Sequence, residues 1–439
     1  MQERLIDKLD KKLFIRNVKD KTFYQIYNFA MKRQKLTNEE KNIILKELIS
    51  SGNSMQIITF ILDIKWLTKE NIDMITEEVA KYSAQEIYDF AVRCEKLSSK
   101  NLDLLTEAIV KNHYYKYIVY FAQKIKNLSP KNISVLARAI ANSDNREYIY
   151  DFSYSIKKLS NNDKTTLVKS IIKFDNAETI FDFADNISWL EKEHMDLLIE
   201  GLKKTGSGYY INEFVNRFCN DLSKEQLDIL VDAIINTGEA ASIAWFAQLT
   251  ELTRENKNKL TIALIDLEDP KYMCDFAIKV KDLTEVNINA LANAVVKSDS
   301  SGSLYLFLVM VPNLNKEKCK LILDRLFELK DFGVIKLLIN DYLVKAYNER
   351  IGSDFEKRII ETKDIFIIAY YLFSKNDENL IKQFFGTMEK FLLFIFINKS
   401  KLGLQDNDIK MIEKDADFKY VDDNISKYLG NKKVNKKQS

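Results

Sequence analysis

The chain of 439 residues contains two histidines, the side chains that most readily bind a metal or transfer a proton near neutral pH. A zinc site needs three or four ligands at characteristic short spacings. His113 lies in VKNHYYKY and His194 in EKEHMDLL, and neither has a Cys or a second His at ligand spacing. We therefore predict no metal site and expect both histidines at the surface.

The signals for phosphate binding and for acid–base catalysis are also weak. The segment KKTGSGYY at 203–210 has two glycines near lysines, but it lacks the strand and the residue order of a phosphate-binding loop. Acidic pairs such as Glu39–Glu40 and Glu77–Glu78 fit solvated helix faces, and no nucleophile is paired with a base. The sequence therefore predicts a protein that is not an enzyme, with no catalytic residues and no cofactor.

Composition indicates a folded cytoplasmic protein with long helices. Apolar residues make up 46% and charged residues 30%, while only 3 Pro and 11 Gly occur. The longest apolar run, FLLFIFI at 391–397, is too short to span a bilayer, so no membrane partner is expected. The cysteines are widely spaced, which favours reduced core thiols over disulfides. They are Cys94, Cys219, Cys274 and Cys319.

A phenylalanine recurs at intervals of 30 to 32 residues, in phrases such as EIYDFAVRCEKLS at 86–98 and ETIFDFADNISWLE at 178–191. An Ile, Met or Leu stands three residues before it, and a Leu stands about seven residues after it. Because these spacings keep side chains on one face of an α-helix, we predict a helix, named A, that carries all three. The recurring residue, here called the anchor, is Phe29, Phe60, Phe90, Phe121, Phe152, Phe183, Phe214, Phe246, Phe276 or Phe307.

A second helix, named B, is predicted to begin just after the repeated leucine. The next residue is Ser or Thr in eight repeats, and these residues are favoured N-caps. Glu40 and Gln226 stand three residues further on and can complete capping boxes, while Pro130 follows the N-cap Ser129. Each repeat is therefore predicted to be a hairpin of two helices.

Such hairpins bury both apolar faces only when they stack on their neighbours. Over residues 21–330 the chain resembles α-solenoids of the broad HEAT and tetratricopeptide class, although the tetratricopeptide consensus is absent and the period is shorter than in HEAT units. The resemblance implies an all-α fold, a right-handed superhelical solenoid of about ten stacked hairpins, with a length on the order of 100 Å. No functional residue carries over from it.

The flanks of the repeats are predicted to differ from them. Residues 1–20 are predicted to form a capping helix, and residues 331–428 are predicted to continue as degenerate helical repeats. Residues 429–439 are basic, lack a pattern of apolar residues and are expected to be disordered.

Positions that break the repeat pattern predict a binding surface. The residue before the anchor is usually polar but is Tyr120 or Trp245 in two repeats, and the residue before the leucine is Trp66 or Trp189 in two others. If these positions share one side of helix A, their aromatic side chains form a face suited to binding a protein. The alternative is that each indole packs on the adjacent repeat, and the sequence leaves both interpretations open.

Charge is unevenly distributed along the chain, although the net charge is only +2. Residues 1–160 carry 27 basic and 20 acidic side chains, whereas residues 161–330 carry 20 basic and 27 acidic ones. Lys32, Arg93 and Lys124 are predicted on the outer face of helix A in the basic part. Such a gradient would steer an acidic partner to the N-terminal half or favour head-to-tail self-contact.

The leading hypothesis is a non-enzymatic protein-binding α-solenoid that acts as a scaffold, adaptor or inhibitor. Its predicted partner-binding residues are Trp66, Trp189, Trp245, Tyr120, Lys32, Arg93 and Lys124. The alternative is a helical repeat protein that binds nucleic acid through its basic N-terminal half. The sequence leaves self-association open.

Overall fold

The computed structural model describes residues 12–33, 36–52, 54–64, 67–343, 355–405 and 408. All regular secondary structure in these ranges is helical, and no strand occurs in them. No helix within them is long and apolar enough to cross a membrane. The chain divides into two compact units, Met1–Ala233 and Ile234–Ser439.

The first unit begins with a helical segment at 12–18, α1. Its A helices are α2 (Phe23–Lys32), α4 (Ser54–Asp63), α6 (Ala84–Arg93), α8 (Tyr115–Lys124), α10 (Arg146–Ser155), α12 (Ala177–Asn186) and α14 (Gly208–Phe218). Its B helices are α3 (Asn38–Ser51), α5 (Lys69–Val79), α7 (Ser99–Lys111), α9 (Pro130–Ala141), α11 (Asn161–Ile172), α13 (Lys192–Thr205) and α15 (Lys224–Asn236), the last of which contains the boundary.

Helices of the first unit pack in two layers. The A helices α4 to α14 contact one another in chain order, and so do the B helices α3 to α13. Most A helices also contact the B helix that follows, and B helices from α5 onward contact the next A helix. This arrangement buries one face of every helix between the layers, as neighbouring hairpins of a helical repeat require.

The second unit continues the alternation. Its helices are α16 (Ala240–Leu249), α17 (Arg254–Asp266), α18 (Pro270–Lys279), α19 (Glu285–Val296), α20 (Ser301–Met310), α21 (Lys316–Leu329), α22 (Phe332–Leu343), α23 (Phe355–Glu361), α24 (Ile365–Lys375), α25 (Glu378–Phe385), α26 (Met388–Ile397) and α27 (Lys399–Leu402). Helices α16, α18, α20, α22 and α24 contact one another in chain order, as do α17, α19 and α21.

The predicted N-terminal cap lies partly outside the described residues, and the predicted basic tail lies wholly outside them. The predicted division of the chain into four parts stays a prediction.

The anchor phenylalanines form the centre of the core. Nine of them, from Phe60 to Phe307, are 0 to 1% exposed, whereas Phe29 is half-buried and its ring lies 5.5 Å from that of Phe14. Cysteine thiols add to the core, since Cys94, Cys274 and Cys319 are buried and all four cysteines are free. Burial raises the pKa of the Cys274 thiol to about 12, so this thiol stays protonated.

The N-cap predictions are confirmed in detail. The Thr37 hydroxyl accepts a hydrogen bond from the Glu40 amide, and the Glu40 carboxylate accepts one from the Thr37 amide at 2.7 Å. Ser223 and Gln226 form the same reciprocal pair. These bonds satisfy amides that the first turn of a helix leaves without partners, which explains why the B helices begin where the sequence predicts.

The predicted extent of helix A is wrong at its C-terminal end. Each A helix ends three or four residues after the anchor, so the repeated leucine lies in the linker. In repeats such as those of Cys94 and Ile187, the residue after the helix is extended and its side chain is buried. Its amide still bonds to the anchor carbonyl, but an extended backbone turns the apolar side chain into the core and stops the helix.

The third residue of most B helices is a buried polar side chain, and in the first unit these residues form a column, here called the buried column. Its members are Asn71, Asn101, Asn132, Asp163, His194 and Gln226, and Asn256 and Asn287 hold the same position in the second unit. Besides closing capping boxes, several of these side chains bond to the preceding B helix. The side-chain amide of Asn101 donates to the Thr76 hydroxyl at 2.9 Å, and the Ser134 hydroxyl donates to the Asp163 carboxylate at 2.7 Å. The column therefore joins successive B helices through hydrogen bonds that helix propensity alone does not specify.

The surface position predicted for His194 is wrong, because this side chain belongs to the buried column and is 1% exposed. Its Nδ1 accepts the Glu191 amide at 3.2 Å, which fixes the ring at the start of α13. Burial lowers the pKa of His194 and favours the neutral imidazole. His113 is exposed, as predicted.

Candidate protein interface

Trp189 lies in a turn after α12 and not on the helix face predicted for it. Its indole N–H donates to the Ser153 carbonyl at 2.8 Å, and its half-buried ring lies edge-on to Phe183 and His194. The Lys164 amine lies 5.7 Å from the ring centroid. These contacts are the packing on the adjacent repeat that the sequence left as an alternative, while the binding role predicted for Trp189 stays a prediction.

Of the other two tryptophans, one lies in the second unit and one outside the described residues. Trp245 lies on α16 of the second unit, one residue before its anchor, and is half-buried. Trp66 falls outside the described residues. A shared surface of indoles therefore stays a prediction.

Three predicted basic residues occupy equivalent positions at helix ends. Lys32, Arg93 and Lys124 are the last residues of α2, α6 and α8, and all three are exposed. Cations at this end of a helix are stabilised by its dipole, which gives each residue a local structural role. Their equivalent positions also place them along one edge of the A layer.

Tyr120 belongs to a group of tyrosines that we name the tyrosine cluster, which consists of Tyr88 of α6 with Tyr114, Tyr117 and Tyr120 at α8. The ring of Tyr88 lies 5.8 Å from that of Tyr117 and 6.1 Å from that of Tyr120. Tyr114 and Tyr120 also contact Tyr117, with centroids 5.4 and 6.1 Å apart. Tyr114 is 58% and Tyr120 39% exposed, so the cluster presents aromatic surface to solvent.

Helix register explains why these rings meet. Tyr88 stands two residues before its anchor, and Tyr117 stands four residues before the next anchor. These positions face the neighbouring A helix, whereas Tyr120, one residue before Phe121, contacts Tyr88 and is also 39% exposed. Sequence inspection singled out Tyr120 alone, although alignment of the repeats on their anchors would have placed Tyr88 beside Tyr117.

The side chains of the tyrosine cluster are of a kind common in protein interfaces. Tyrosines pack against apolar groups and donate hydrogen bonds through their hydroxyls, which makes them frequent hot spots of protein interfaces. The Lys116 amine lies 5.7 Å from the Tyr120 centroid and adds positive charge beside the ring. Within the described part of the chain, no three His, Cys, Asp or Glu residues come together as metal ligands.

Comparison with known proteins assigns the chain to no family. No protein-family model matches it, and no curated protein matches its sequence. Its function must be argued from its own side chains, and the tyrosine cluster is the feature that most resembles a binding site.

Proposed function

We propose that the chain is a non-enzymatic α-solenoid that binds another protein through the A-helix face of its first unit, as a scaffold, adaptor or inhibitor. In this proposal residues 21–330 form about ten stacked hairpins of a right-handed superhelix in the cytoplasm. Exposed side chains of successive A helices form the contact surface, with the tyrosine cluster at its centre.

The observation that carries the proposal is the tyrosine cluster. Four tyrosine rings from two adjacent helices contact one another, and two of them remain substantially exposed. Packing of the hairpins does not require this exposure, because the anchors and the B helices already fill the core. Rigid aromatic side chains held by their neighbours lose little conformational entropy when a partner binds.

Other exposed apolar side chains of the first unit also support a binding surface on its A helices. Large exposed apolar side chains between α2 and α14 lie on A helices or directly before them, and none is found on a described B helix of this unit. They are Tyr24, Met31, Met55, Val92, Tyr114, Tyr120, Tyr154 and Tyr209. A one-sided distribution of this kind is typical of a binding surface.

Affinity capture with the full chain tests the proposal. We expect Tyr114→Ser combined with Tyr120→Ser to reduce recovery of specific protein partners at least tenfold, with no change in helical content by circular dichroism. The matched control combines Ile262→Ser with Val286→Ser, which removes exposed apolar area from B helices α17 and α19, outside the proposed surface. Equal recovery with both double variants and the unchanged chain would show that the tyrosine cluster does not bind the partner.

Nucleic-acid binding is the competing outcome. If the basic N-terminal half binds RNA or DNA, the full chain should be retained on single-stranded nucleic acid at low salt, and the affinity should fall steeply as salt rises. Elongation is tested independently by small-angle X-ray scattering, since a stack of ten hairpins extends on the order of 100 Å. A compact chain of this length would have a radius of gyration of about 22 Å.

A further inference from the structure

The hairpin formed by α8 and α9 has a charge unlike that of its neighbours. Residues 108–143 contain six basic side chains and no acidic one. They are Lys111, Lys116, Lys124, Lys126, Lys131 and Arg138, and all six are exposed. None forms an ion pair with any residue in the described ranges. Their charge is therefore available to a partner.

Two of these lysines flank the exposed ring of the tyrosine cluster on one helix face. Lys116, Tyr120 and Lys124 are four residues apart, so they form a stripe along α8 about 12 Å long. The helix dipole accounts for Lys124 at the C-terminal end, but it disfavours Lys116 in the first turn, where α8 has no acidic residue. The helix dipole therefore does not account for Lys116, whose amine lies 5.7 Å from the Tyr120 ring centroid.

Carboxylates on the neighbouring A helices limit this basic surface to one hairpin. Helix α6 carries Glu86 and Asp89, and α10 carries the exposed Glu147 and Asp151. Adjacent A helices lie roughly 10 Å apart. The phosphates of a nucleic-acid strand that ran across several A helices would therefore be repelled by the carboxylates of α6 and α10. The arrangement favours a short acidic segment over a nucleic-acid strand.

We infer that the stripe Lys116–Tyr120–Lys124 binds an acidic segment of a protein partner, in which an apolar residue lies between two carboxylates. The inference rests on the proposed function and specifies the chemistry of the partner. In an extended segment, residues i, i+2 and i+4 point to the same side, and the outer two lie about 13 Å apart. Two glutamates in these positions pair with the lysines, and the residue between them packs on Tyr120.

The experiment uses the full chain and a fluorescein-labelled nine-residue peptide with Glu-Ser-Leu-Ser-Glu at its centre. Fluorescence anisotropy at about 20 mM salt measures binding, which screening should weaken as salt rises. We expect Lys116→Glu with Lys124→Glu to weaken binding at least tenfold, and Tyr120→Ser to weaken it severalfold. The matched control, Lys131→Glu with Arg138→Glu, changes the same charge in the same hairpin but on α9, and should alter binding less than twofold.

Three results of the binding measurements would overturn the inference. They are no peptide binding at millimolar concentration, an equal loss in the control variant, and tighter binding of a ten-nucleotide uridylate than of the peptide. A concentration-dependent dimer that the α8 charge reversal dissociates would also overturn it, since the occupant would then be a second copy of this chain. Each charge-reversal variant should keep the helical content of the unchanged chain.

The result separates this inference from the proposed function. If the tyrosine substitutions abolish capture of a protein partner while the α8 charge reversal does not, the protein-binding proposal stands and the acidic partner is excluded. If neither set affects capture, both proposals fail at this surface.

Discussion

Helices α8 and α12 are A helices of the same unit with similar buried faces and oppositely charged exposed faces. Their anchors, Phe121 and Phe183, are both fully buried. At the same outward positions α8 carries Lys116, Tyr120 and Lys124, whereas α12 carries Glu178, Asp182 and Asn186. In these two helices, stacking requires apolar residues at the buried anchor positions but does not constrain the residue type at exposed positions. Exposed positions can therefore differ between repeats and specify function.

The largest expected effect is the loss of stability when an anchor is removed from either helix, which tests whether the two buried faces are equivalent. Phe121→Ala and Phe183→Ala should each lower the free energy of unfolding by about 3 to 5 kcal/mol, because each leaves a cavity at a fully buried site. Urea denaturation followed by circular dichroism measures both. A difference of more than about 2 kcal/mol between the two variants would contradict the equivalence of the buried faces.

A second substitution separates the linkers of the two hairpins. Trp189 follows α12 and donates to Ser153, whereas Asn127 holds the equivalent position after α8 and is exposed. Trp189→Ala should lower the free energy of unfolding by about 2 to 3 kcal/mol, less than a fully buried aromatic, and Asn127→Ala by less than about 0.5 kcal/mol. If Trp189→Ala instead left stability unchanged and abolished partner capture, its indole would serve binding and not packing.

Stability should depend on pH through His194, the member of the buried column in α13. At the same position α9 carries Asn132, which does not titrate. Burial lowers the pKa of His194 in the folded chain, so the unfolded chain takes up a proton first as pH falls. Stability should therefore be full above about pH 6.5 and decline below it, with a slope of at most about 1.4 kcal/mol per pH unit.

Denaturation midpoints measured between pH 5 and pH 8 check this dependence. The variant His194→Asn, which copies the residue found in α9, should flatten the profile. The matched control is His113→Asn, which removes the other histidine from an exposed position. A profile that His194→Asn does not alter would argue against burial as the source of the dependence.

The smallest effect is expected on the outer face of α12. Burial, and then the neighbouring Glu178, raise the pKa of Asp182, so its charge destabilises the fold slightly at neutral pH. Asp182→Asn should increase the free energy of unfolding at pH 7 by less than about 0.5 kcal/mol, because solvent screens the site. Tyr120→Asn, at the same position of α8, should bring no increase, and thermal denaturation compares the two.

Local signals in the sequence determined the helices and much of the core. Apolar spacing placed the anchors, and Ser or Thr before each B helix placed its start, because a helix face and a cap depend on residues within three or four positions. The outward position of Tyr120 follows from the same periodicity.

Contacts between hairpins decided the rest. The end of helix A, and with it the displacement of Trp189 into a turn, depends on burial of the following residue between layers. The burial of His194 depends on the preceding B helix, and the tyrosine cluster depends on α6 lying beside α8. These features join residues about 30 positions apart, so only stacking of the helices brings them together, and periodicity within one helix cannot reveal them.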